Sequence, residues 1–254
     1  MVRTLLVRGM LVGIVAGLLS FGFLKVYGEP QVDRAIAFEE QMDEAKAELA
    51  KKHGMAAPEE EPELVSRPVQ AGLGLFVAVM VYSAAFGGLF GLAFAFAQGR
   101  MPGELSPQAL SVVLALLGFI AVYVVPNLKY PANPPSVGDP ETIGTRTALY
   151  FGIIGISVIA MVGAIAFRRM LVVRYGEWNA TLLVGACYII VMALAGFLLP
   201  AVNEVPEEFP AVVLWKFRVA SLGAQLILWA TLGLLFGALT QRAITMRKSA
   251  RLPA

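Results

Sequence analysis

The chain has 254 residues, of which 58% are hydrophobic and 15% charged, and its mean hydropathy is +0.73. Roughly 25% charged residues is usual in a soluble domain, so that class is excluded and an integral membrane protein is expected. The formal charge of +2 says little as a total, because in a membrane protein the side that each charge occupies is what matters.

A helix needs roughly 20 apolar residues to cross about 30 Å of hydrocarbon. Stretches of this kind lie at about 5–27, 69–97, 107–126, 147–167, 178–200 and 219–240. The expected fold is therefore all-α: a polytopic membrane bundle of six transmembrane helices forming a single domain over 1–254, with an external acidic helical insertion at 28–67. The uncharged part of the first span, 9–24, is short, but Arg8 and Lys25 flank it and can snorkel to the interfaces. No small-x-small cleavage pattern follows it, so an uncleaved anchor is expected. Gly9, Gly13 and Gly17 form a small-residue ridge, echoed by Gly87 with Gly91 and Gly233 with Gly237, suited either to packing within the bundle or to seating a partner helix.

In the insertion, Pro30 marks a helix start and Gly54 a stop. Ala35, Phe38, Met42, Ala45 and Leu49 recur at spacings of three and four, an apolar stripe on an acidic helix. The stripe either rests on the bundle or docks a second subunit. The proline-rich acidic stretch 57–68 reads as a tether, and the lone His53 as a solvated residue. Cys187, the single cysteine, excludes an internal disulfide and reads as a small packing residue.

Two connections resemble one another. In "VVPNLKYPANPPSVGDPETIGTRT" (124–147) and "LLPAVNEVPEEFPAVVLWKFRVASLG" (198–223), a glycine-bearing helix ends at a proline, Pro126 or Pro200. An asparagine, an aromatic-proline pair, an acid cluster and an arginine follow. Either a parallel repeat of two hairpins or shared turn chemistry accounts for this. Proline fixes φ and lacks an N–H, so these loops are stiff and present polar groups with little ordering cost. Asn127, Asn133, Asp139, Glu141, Asn203 and Glu204 are the candidate metal-capture residues, with Arg146 and Arg218 expected to pair with acids and hold the loops. The alternative is a rigid cover over the helix ends.

Assigning alternate connections to opposite sides separates the charge. One set holds ten bases and two acids, and the other ten bases and sixteen acids, or +8 against −6. The positive-inside rule then places both termini in the cytoplasm and the two proline-rich connections outside.

The spans offer no Asp, Glu or His, and the chain has no P-loop or other catalytic motif, so an enzyme is not expected and no cofactor is expected to be permanently bound. A cation crossing the chain would meet backbone carbonyls, hydroxyls (Ser83, Ser111, Ser157, Thr181) or sulfur (Met80, Met161, Met192, Cys187), unless a partner supplied its ligands. A membrane potential offers ~2.3 kcal/mol per charge per 100 mV, hence ~4.6 kcal/mol for a divalent ion. That suffices to accumulate a trace metal without ATP.

The two proline-rich motifs, together with the basic "MVRTLLVRGMLVGIVAGLLSFGF" start, resemble the CbtA family, a membrane subunit of a cobalt transporter, along the whole chain. The resemblance implies uptake of Co2+ across the bacterial cytoplasmic membrane for cobalamin synthesis. It also implies a small single-span, histidine-bearing CbtB-like partner, which would supply the missing imidazoles, and five spans where the charge partition favours six. A homo-oligomer stays open, and no nucleic acid is expected. The family supplies no metal ligands residue by residue, so the candidate sites rest on this chain alone. A non-transporting scaffold for a partner is the alternative function.

Overall fold

The computed structural model describes residues 2–53, 65–100 and 105–249, apart from the side chains of Arg247 and Lys248. Gly54, the acidic part of the tether at 57–64, Glu104 and Arg251 lie outside the described residues. Among those described, the regular structure is helical. Five helices are long and apolar enough to cross a membrane: α1 (Val2–Lys52), α2 (Arg67–Ala97), α3 (Pro107–Lys129), α4 (Pro140–Leu198) and α5 (Ala211–Met246).

Proline does not punctuate two of these helices where the sequence suggests. The α1 helix runs through Pro30, so the first span and the acidic helix are one element. Likewise α3 runs past Pro126 to Lys129. In both places the turn before the proline widens to a π-helix, at Leu24–Gly28 and Phe119–Val124. The residue before each proline then donates five back, Glu29 N–H to the Leu24 carbonyl and Val125 N–H to that of Ile120. The wider turn absorbs the lost N–H and the ring clash that would otherwise break the helix. The second connection does stop where expected, since α4 ends at Leu198 just before Pro200.

The bundle is built on glycine. Gly9 and Gly13 of α1 lie against the backbone of α2 at Gly87 and Ser83, and Gly91 lies against Leu5, so a Cβ at any of these would overlap a carbonyl of the facing helix. Contact this close lets dispersion act between whole backbones, which drives association where lipid removes the hydrophobic advantage. The core continues through Phe90 and Phe94 of α2, which meet Phe236 of α5 edge to face at 5.4 and 5.1 Å. Gly118 of α3 seats on the Trp229 ring, and Gly237 on Ser111 and Gln108.

The α4 helix is different. At Gly176 (φ 75°, ψ 168°) its backbone leaves the helical region, and the two arms fold back on each other. Ser157 and Tyr188 share a hydrogen bond of 2.7 Å between the arms, and Arg168 Nε donates to Thr181 Oγ1 at 2.8 Å. The hairpin touches the rest of the bundle mainly near the C-terminal end of α3, through Ile153, Tyr188 and Met192 against Ile120, Val125 and Tyr130. Gly152, Gly155, Gly163 and Gly185 on its arms face open space. Cys187 is exposed rather than packed, because it lies on this peripheral hairpin. The predicted hydroxyls do not converge on a path. Ser83, Ser111 and Ser157 are almost wholly buried, Ser111 against the Leu232 carbonyl, while Thr181 caps its own helix turn at Glu177.

The stripe on the C-terminal half of α1 is used in part. Ala35 is fully buried with Val137 and Phe209, and the Phe38 ring meets Phe209 edge-on at 5.1 Å. Ala45 and Leu49, further out, are exposed. Arg67, which opens α2, donates to Asp33 at 2.7 Å and to Glu29, clamping the acidic helix to the start of the next span.

Candidate functional site between the proline-rich connections

The two proline-rich connections fold against each other and, with the adjoining ends of α3, α4 and α5, line a half-open cavity of about 670 Å³. The first begins where α3 ends at Lys129. Asn127 Oδ1 accepts from the Ala132 N–H at 3.1 Å, so its amide oxygen is already engaged in turning the chain. Arg218, at the head of α5, donates through Nε to the Ala132 carbonyl at 3.2 Å and through Nη2 to Asn133 Oδ1 at 2.9 Å. It therefore holds the loop by a carbonyl and an amide where a carboxylate was expected. From the facing connection, the Pro200 carbonyl accepts from the Tyr130 hydroxyl at 2.8 Å.

Further along, Ser136 (φ 72°) and Gly138 (φ 124°) occupy left-handed backbone. Ser136 Oγ lies 2.9 Å from the Ala35 carbonyl and 3.0 Å from Glu39 Oε2, one proton between two acceptors, which fastens the loop to α1. At Gly138 a Cβ would run into the Arg146 guanidinium, which needs that space to donate to the Asp139 carbonyl at 2.9 Å. A Gly138→Val variant is expected to lose roughly 1–3 kcal/mol from strain and steric conflict. Hydrogen exchange over 130–146 should accelerate, and unchanged protection there would contradict this.

Glu204 is the junction of the two connections. Its Oε2 accepts from the Asp139 N–H at 2.8 Å and lies 3.3 Å from Arg146 Nε, and its Oε1 accepts from the Thr142 hydroxyl at 2.7 Å. The Thr142 hydrogen bond, then the Asp139 N–H and the Arg146 charge, hold this carboxyl below the ordinary glutamate range. Asp139 Oδ1 accepts from the Glu141 N–H at 2.9 Å, capping the short turn Pro140–Thr142.

Of the residues expected from the sequence, Asn127, Asn133, Asn203 and Glu204 line the cavity, as do Arg146 and Arg218, whereas Asp139 and Glu141 do not. Both of those acids are exposed. Among the described residues, no three His, Cys, Asp or Glu side chains come together to hold a metal ion. The cavity also takes in residues outside that set: Lys129 at the end of α3, and Tyr123, Tyr150, Ser221 and Gln225 further along α3, α4 and α5. Tyr123 and Ser221 share a hydrogen bond of 2.9 Å, and Gln225 Nε2 donates to the Tyr82 hydroxyl at 3.3 Å. Gln225 Oε1 is buried without a protein partner. A carboxamide in the apolar run "ASLGAQLILWA" was the available signal for this inward extension.

The arrangement offers neutral oxygen donors beneath a basic rim. Compared with known proteins, the chain matches at residues 2–241 the model of the family described as probable cobalt transporter subunit (CbtA). No curated protein and no solved structure matches it.

Proposed function

The chain belongs to the CbtA family, and from this membership and the outer cavity we propose that it is the permease-like membrane subunit for uptake of a divalent metal, cobalt destined for cobalamin synthesis. The observation that carries the reading is the cavity itself, where both proline-rich connections converge over neutral oxygen donors inside the helices. Asn127, Asn133, Asn203 and Glu204 form the mouth at which cargo is first held, with Asp139 and Glu141 on the outer surface.

Six crossings with both termini in the cytoplasm of a bacterium fit the hairpin at Gly176. The second and shorter arm of α4, 177–198, spans about 33 Å at 1.5 Å per residue, enough for the hydrocarbon layer. The turn between the arms also carries Arg168, Arg169 and Arg174, the charge expected of a cytoplasmic connection.

A single-span, histidine-bearing partner of the CbtB kind would supply imidazole ligands that selective binding of a transition metal requires. The alternative, a scaffold for such a partner, is favoured by one feature. An apolar cleft of about 720 Å³ lies between α3 and α4, lined by Leu117, Ile120, Met161 and Gly185 among others. Cobalt accumulation in cells separates the two readings. Deletion of the chain should abolish uptake, and Gln225→Leu should lower it severalfold while the protein still reaches the membrane. Uptake unchanged by deletion would leave only the scaffold.

A further inference from the structure

The charge inside the outer cavity is opposite to that of the surface around it. Glu207, Glu208, Asp139 and Glu141 are exposed and lie outside the lining, while Lys129, Arg146 and Arg218 line it against one carboxylate, that of Glu204. Glu204 is already occupied by Arg146, Thr142 and the Asp139 N–H. Arg218 spends two of its five N–H groups on the Ala132 carbonyl and Asn133. Its contacts within the chain thus leave donors in a fork suited to a planar anion. The Lys129 ammonium lies 5.8 Å from the centre of the Tyr130 ring, with no acid in that contact.

A bare dication entering here meets net positive charge, which low-dielectric walls intensify. A carboxylate meets two guanidinium groups and an ammonium, with amide groups of Asn127, Asn133 and Asn203 beside them. The volume of about 670 Å³ is in the range of small-molecule sites and far exceeds what a monatomic ion requires.

We infer that the outer cavity is a binding site for a small polycarboxylate, and that the metal reaches this chain as an anionic carboxylate complex. The second part rests on the reading of the cavity as the place of cargo capture. The bases hold the carboxylates at the mouth, where the membrane potential opposes inward movement of an anion. Tyr123, Ser221 and Gln225 lie on the bilayer side, where only a cation is drawn further.

Isothermal titration of the purified full chain in detergent with citrate, with Co2+, and with equimolar cobalt and citrate tests this. Citrate and the cobalt–citrate mixture are expected to bind. Affinity should fall with added salt and weaken about tenfold or more in Arg218→Gln and in Lys129→Gln. Because Arg218 also anchors the loop, Lys129→Gln is the decisive variant, its folding checked by thermal melting. No binding of citrate, or binding untouched by Lys129→Gln, overturns the anion site. Binding of Co2+ alone with citrate competing against it overturns the carboxylate-complex cargo. If citrate fails to bind but cobalt accumulation still requires the chain, the uptake reading stands without the anion site; if citrate binds and accumulation is indifferent to deletion, the anion site stands alone.

Discussion

Gly13→Leu is expected to leave no monodisperse folded protein in detergent, whereas Gly155→Leu should purify and melt like the parent. The two positions have the same residue type in the same kind of apolar helix, and they differ only in what faces them. A Cβ at Gly13 would overlap the Ser83 carbonyl and crowd Ala84 on α2, while at Gly155 nothing lies within 4 Å. Backbone cannot move aside as a side-chain end can, so the insertion must push α1 and α2 apart along their whole contact. Overpacking typically costs 1–3 kcal/mol in soluble cores, and loss of a helix–helix seam exceeds about 3 kcal/mol. At Gly155 the helix propensity of leucine makes the change neutral or favourable by up to about 1 kcal/mol. Size-exclusion profiles and thermal melts of the two variants decide it. Equal behaviour would show that the glycine seam does not limit stability.

Glu204→Gln is expected to release the two proline-rich loops from each other, and acid should do the same to the parent. The carboxylate accepts from Thr142 and Asp139 and faces Arg146, and these partners hold its ionisation below the ordinary glutamate range. A depressed carboxylate stabilises the folded form above its unfolded pKa, and that contribution is lost as pH falls through the folded one. The loops should therefore stay ordered through neutral pH and loosen only below the ordinary glutamate range. Exchange protection at 136–143 should drop in that acid window in the parent and already at neutral pH in Glu204→Gln. If protection in the variant matched the parent at neutral pH, Glu204 would not be the fastener. A loosening of the parent at or above the ordinary range would contradict the depressed ionisation.

Much of the membrane architecture was legible because it follows from local rules. The apolar runs locate the helices, since a backbone in hydrocarbon has to satisfy its own hydrogen bonds. The G-x-x-x-G spacing marks the seam between α1 and α2, because residues four apart share one helix face. The site was less legible. Asp139 and Glu141 looked equivalent to Glu204 as acids in a stiff loop, yet the left-handed turn at Ser136 and Gly138 directs the chain so that they end up outside the cavity and Glu204 within it. Lys129 carries no mark in the sequence that separates it from the other bases of these connections, and only the fold of the second connection against the first brings it into the cavity lining.

From the sequence alone came a basic-against-acidic partition of the loops, the all-helical class, the small-residue seams and the kinship with a cobalt transporter subunit. These depend on composition, spacing and residue type. The tertiary structure decided that α1 and α3 continue through their prolines, since a π-turn one residue earlier relieves a clash no propensity anticipates. It also decided that Asp139, Glu141, Glu207 and Glu208 lie outside the cavity while Lys129, Arg146 and Arg218 line it with Glu204. The sign of charge inside a cavity depends on which side chains from three separate helices and two loops face each other, and that is a property of packing.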